Sequence, residues 1–118
     1  MAGLESQNFK DADETRTFDK GQLEVVTLGT ATVGRGTFEP GWKWSECIKP
    51  IVGTDSCQAA HLGYVVSGQM HVVMDDGSET DAGPGDLFNV APGHDAWIVG
   101  DETCVVLDFE GASNYAKP

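Results

Sequence analysis

Apolar and polar residues alternate in short runs from Gly21 to Phe109, and glycine- or proline-bearing turns separate the runs. LEVVTLG (23–29) and TATVGRGTFEPG (30–41) are rich in β-branched residues, which predicts two or three short strands. Pro40-Gly41 signals a turn. In WKWSECIKPIVG (42–53), Trp42 and Trp44 share one strand face, and Pro50 and Gly53 make the rest a loop. AAHLGYVVSG (59–68) reads as a strand closed by a Ser-Gly turn, from which QMHVVM (69–74) returns. Asp76-Gly77 is a strong hairpin signal. SETDA (78–82), LFNVA (87–91), HDAWIVG (94–100) and TCVVLDF (103–109) follow as strands, with turns at GPGD (83–86) and Pro92-Gly93. No stretch holds a 3.6-residue period, so strands at this spacing predict an all-β antiparallel sandwich or barrel.

The ends of the chain differ in texture. Residues 1–20 are polar and charged, with Phe9 and Phe18 as the large apolar groups. They predict a mobile or loosely docked arm, tied down by Phe18, in which DADETR could begin a helical turn capped by Asp13. The tail EGASNYAKP reads as irregular. The expected organisation is an arm over 1–20 and one β domain over 21–118.

Composition narrows the function. A chain of 118 residues suits one domain with its own core. A net charge of -12 leaves no basic face for phosphates, which excludes nucleic acid, and it disfavours anionic membrane surfaces. No run approaches the roughly 20 apolar residues of a membrane span, and MAGLESQNFK lacks the shape of a signal peptide. A cytoplasmic protein is expected. Three cysteines at uneven spacing make no disulfide framework, so Cys47 and Cys104 read as small buried apolar residues.

Cys57 has company. His61, Cys57 and Asp55 are all odd-numbered and so fall on one strand face, and His94 follows the Pro92-Gly93 turn. In a regular strand, residues i and i+4 stand about 13 Å apart. Cys57 and His61 therefore reach one point only if Gln58-Ala59-Ala60 loops between them.

The phrases HLGYVVSG, DDG and GPGDLFNVAPG resemble the two sequence stretches of the cupin superfamily, over about residues 23–109. That resemblance implies a single jelly-roll barrel, a metal site within it and commonly a homodimer. It also resembles a cupin subgroup carrying PGWxWS and PGHDAW phrases, which attaches to no established reaction. The ligand positions depart from the family pattern. Aligned on Gly68, His61 stands at the family's glutamate, and Cys57 and Asp55 stand at its two histidines. Aligned on Gly93, Ala96 takes the last histidine's place, with His94 two residues earlier.

Two readings of these residues stand side by side. In one, Cys57, His61 and His94, with Asp55 as a fourth ligand, bind a divalent transition metal such as Zn, Fe, Ni or Co. Trp42, Trp44 and Trp97 then join His61 and His94 in lining a pocket for a small organic molecule. In the other, Cys57 is core, His61 is hydrogen-bonded inside the barrel and His94 caps a turn. The protein is then a metal-free ligand-binding, sensor or accessory module. His71 reads as a solvated or cross-strand histidine.

Overall fold

The computed structural model describes residues 3–113 and 115–117; Met1 and Ala2 of the arm, and Asn114 and Pro118 of the tail, lie outside the described residues. The described residues form nine strands: β1 (Glu14–Phe18), β2 (Gly21–Leu28), β3 (Ala31–Phe38), β4 (His61–Ser67), β5 (Gln69–Met74), β6 (Glu79–Ala82), β7 (Leu87–Val90), β8 (His94–Val99) and β9 (Cys104–Asp108). They form a six-stranded sheet in the order β1-β2-β3-β9-β4-β7 and a three-stranded sheet in the order β6-β5-β8. All pairings are antiparallel. The two sheets enclose the core, in a jelly-roll arrangement.

Strand alternation sets what faces inward. On β8, His94, Ala96 and Ile98 are buried, while Asp95 and Trp97 take the opposite face. On β9 the buried set is Cys104, Val106 and Asp108. On β4, Gly63 and Val65 are buried with His61 on the same side, and Leu62, Tyr64 and Val66 are exposed. Their apolar partners include Leu23, Val25, Phe38, Trp42, Trp44, Val72 and Val90.

Three local expectations are corrected. The last part of the arm is regular: β1 pairs with β2 from Glu14↔Val25 to Phe18↔Gly21. Asp13 caps no helix there; its carboxylate accepts from the Thr27 amide instead. The Trp42–Gly53 stretch is two short helical turns, α1 (Trp44–Cys47) and α2 (Lys49–Val52), rather than strand and loop. Pro50 fits the first turn of α2, and Gly53 closes it in the left-handed region at φ 79°.

The third concerns β4 and β5, which do not form a hairpin. They lie in different sheets, β4 beside β9 and β7, β5 beside β6 and β8. Gly68 makes the corner between them with φ 75°, and a Cβ there would stand 2.6 Å from the Cys104 Cα. The hairpin expected at Asp76-Gly77 is present, joining β5 to β6. No helix among the described residues is long and apolar enough to cross a membrane.

Candidate metal centre

Cys57, His61 and His94 come together inside the fold, their ligand atoms all within 4.8 Å of one another. His94 begins β8, and His61 begins β4, two strands of different sheets. Cys57 reaches them through a single antiparallel bridge to His94. The Cys57 amide donates to the His94 carbonyl at 2.7 Å, and the Gly93 amide donates to the Cys57 carbonyl at 2.7 Å. Next to it the buried Ser56 hydroxyl donates to Asp75 at 2.8 Å, fixing the segment to the β5–β6 turn. Between Cys57 and His61, residues 58–60 belong to no strand. The sulfur thereby comes 3.7 Å from His61 Nε2, far inside the 13 Å of a regular strand.

Both imidazoles are oriented from behind. His61 Nδ1 donates to Asp108 Oδ2 at 2.6 Å, across the β4–β9 pairing. His94 Nδ1 donates to the Ala91 carbonyl at 2.8 Å. A carbonyl only accepts, so Nδ1 of His94 carries a hydrogen, and its Nε2 is the ring nitrogen left towards the group. An outer partner on each ligating histidine is the arrangement that orients metal sites. Spacing agrees with chemistry. Zinc bonds of about 2.3 Å to sulfur and 2.0–2.1 Å to nitrogen, at a tetrahedral angle, separate the two donors by about 3.6 Å. A thiolate and two imidazoles suit zinc, Fe(II), Co(II) or Ni(II), not Mg or Ca.

Charge inside the group is shifted. Burial raises the Cys57 thiol, but hydrogen bonds to His61 and His94 outweigh it and bring it down to about 6. Burial lowers His61, yet its bonds to Asp108 and Cys57 lift it to about 9. Without an ion, the pair is therefore a thiolate beside an imidazolium. Burial and neighbouring negative charge hold the Tyr115 phenol well above its ordinary value. Cys104 behaves as plain core, its thiol pushed up to about 11 chiefly by burial.

Two spaces flank the group. An interior cavity of about 60 Å³ is lined by His61, His94, Asp108, Trp42, Trp44 and Tyr115 among apolar residues. A groove of about 540 Å³ lies outside it, bordered by Cys57, Gln58–Ala60 and Gly111, with Trp44 and Tyr115 shared by both. The Tyr115 ring stands edge-on to His61, centroids 5.5 Å apart. Arg16 of β1 holds that tail, donating to the carbonyls of Ala112, Ser113 and Tyr115 at 2.8, 2.9 and 2.6 Å.

Two of the residues expected at the site are elsewhere. Asp55 is fully exposed, 3.9 Å from Lys49, because its loop turns it out before the Cys57 bridge begins. Trp97 lies on the outer face of β8, stacked on His71 at 4.8 Å with Lys43 over its ring. His71 is cross-strand from both Trp97 and Asp81, and its Nδ1 donates to Asp81 at 2.6 Å. Asp95, beside His94, faces away and accepts from the Ser45 amide at the start of α1.

No protein-family model and no curated protein matches the chain. Solved structures do. A protein of unknown function from Rhizobium leguminosarum superposes with TM-score 0.64 at 19% identity, over 92% of this chain and 99% of that one. Bacillus subtilis oxalate decarboxylase gives TM-score 0.64 at 20% identity, over 95% of this chain but 31% of that one. KdgF from Halomonas gives 0.55 at 21% identity, over 79% and 82% of the two chains. The fold is that of the cupins. This cupin barrel holds a thiolate, two imidazoles and a supporting carboxylate in its interior.

Asp108 and Tyr115 were not singled out from the sequence. For Asp108 a signal existed: in TCVVLDF it continues the parity of Cys104 and Val106, so a charged residue falls on the buried face of a strand. For Tyr115, in a tail without strand pattern, there was none.

Proposed function

We propose that this protein binds a small organic molecule in its barrel, at a divalent transition metal held by Cys57, His61 and His94. The observation that carries the reading is the set of outward bonds, His61 to Asp108 and His94 to Ala91, which leave Nε2 atoms and a sulfur facing one another. An ion bound there would supply Lewis-acid polarisation of a ligand oxygen. The chain's own residues do the rest. Asp108 holds His61 in one ring orientation, and Trp44 and Tyr115 divide the interior from the groove. The apolar lining around these few polar groups suits a small ligand. A reducing, cytoplasmic setting fits the three free cysteines, all buried.

The test is elemental analysis of the purified, tag-free protein beside a His61→Ala, His94→Ala double variant. About one equivalent of transition metal in the parent, lost in a folded variant, is the expected result. One observation favours a metal-free binding module instead: Cys57 and His61 already satisfy each other by hydrogen bonding. An absence of metal after reconstitution with Zn(II), Fe(II), Co(II) and Ni(II) would leave that reading standing.

A further inference from the structure

Cys57 differs from the other two thiols in what it faces. Its sulfur shares a hydrogen bond with His61 Nε2 at 3.7 Å, and Nδ1 of the same ring donates to Asp108 at 2.6 Å. Thiol, imidazole and carboxylate therefore stand in line. That is the order in which a base activates a nucleophile and is itself oriented by a third group. Cys57 also borders the outer groove, beside Gly111 and Tyr115. Cys47 and Cys104 border neither space. The Cys47 thiol points at Asp19, 3.8 Å away, and Cys104 lies in the core with no exposed surface.

Access and charge narrow the reactant. Cys57 is 3% exposed, so only a molecule of a few atoms can meet the sulfur without displacing the packed wall. A net charge of -12 disfavours anions. We propose that Cys57 is a modification site for hydrogen peroxide, a small neutral oxidant, with His61 as proton carrier and Asp108 as the positioning residue. His61 Nε2 holds the proton taken from the thiol while sulfur attacks one peroxide oxygen and the O–O bond breaks. The proton then passes from Nε2 to the departing hydroxide, giving water. Sulfur loses two electrons and becomes a sulfenic acid, and the peroxide gains them. A metal takes cysteine as the thiolate, so oxidation also withdraws one donor from the metal centre. That consequence rests on the metal reading above; the oxidation itself does not.

The test uses the full chain, stripped with chelator, its metal content measured and its fold checked by circular dichroism on the same sample. Hydrogen peroxide is added, sulfenic acid is trapped with dimedone, and each cysteine peptide is followed by mass spectrometry. The expected result is trapping at Cys57 ahead of Cys47 and Cys104. It should also be at least about tenfold faster than at Cys57 in the urea-unfolded chain, a modest share of what a positioned acid–base group contributes. His61→Gln should remove that advantage. Comparing the folded with the unfolded parent decides the matter even where this variant fails to fold. Cys57 oxidised no faster folded than unfolded overturns the proposal, because burial alone slows a thiol. A second sample is loaded with zinc, and one zinc should be released for each Cys57 oxidised. Zinc uptake with Cys57 inert in the stripped sample overturns this proposal and leaves the metal centre intact. Fast oxidation of Cys57 in a chain that takes up no zinc supports the modification site and removes the metal reading.

Discussion

His61 and Asp108 meet through a 2.6 Å hydrogen bond between strands β4 and β9, although 47 positions separate them in the chain. Both are largely buried, so neither partner has water as an alternative. The bond fixes the imidazole that faces Cys57. It follows that Asp108→Asn should keep the fold while lowering metal affinity roughly 10- to 100-fold, the usual effect of removing an outer partner. Chelator competition on the folded variant measures this, and equal affinity in variant and parent would refute the role.

Metal uptake should be linked to protons. The thiol is lowered to about 6 and His61 is raised to about 9, so between these values the metal-free Cys57–His61 pair carries one proton, on His61. Both Nε2 and sulfur must be unprotonated to bind an ion. Apparent affinity should therefore rise about tenfold per pH unit from pH 6 to 9. Below that window two protons must leave, and the dependence steepens. Affinity that stays flat across the window would contradict the thiolate–imidazolium pair.

The tryptophans should separate by position. Trp44 is buried against both spaces, whereas Trp97 stacks on the outer face. Trp44→Ala should cost about 3–5 kcal/mol, and Trp97→Ala no more than about 1.5 kcal/mol, the range of an aromatic pair. Urea denaturation gives both numbers. Acrylamide quenching adds a check: the readily quenched emission should vanish in Trp97→Phe and persist in Trp42→Phe.

The tail should depend on Arg16. Its guanidinium is 9% exposed and donates to three tail carbonyls. Arg16→Ala should destabilise the protein by about 2–3 kcal/mol, for loss of charge-assisted bonds. It should also quicken proteolytic cutting after residue 110. A tail as resistant as the parent's would show that Tyr115 packing alone holds it.

Local chemistry made much of this protein legible in its sequence. Alternation in HLGYVVSG, HDAWIVG and TCVVLDF follows from the two-residue period of a strand, and it put His61 and His94 on inward faces. Glycine and proline marked the turns because few other residues adopt those backbone angles. The need for a break over Gln58–Ala60 also follows from strand length alone, and the chain breaks there. Parity, however, names a face without naming a neighbour. Only pairing between distant strands decided that β4 lies beside β9 rather than β5, and so that Asp108 backs His61. Only the packing of whole sheets turned Trp97 and Asp55 outward and brought Tyr115 from the tail onto His61. Those contacts depend on which surfaces can be buried together, and that is a property of the folded chain rather than of any stretch within it.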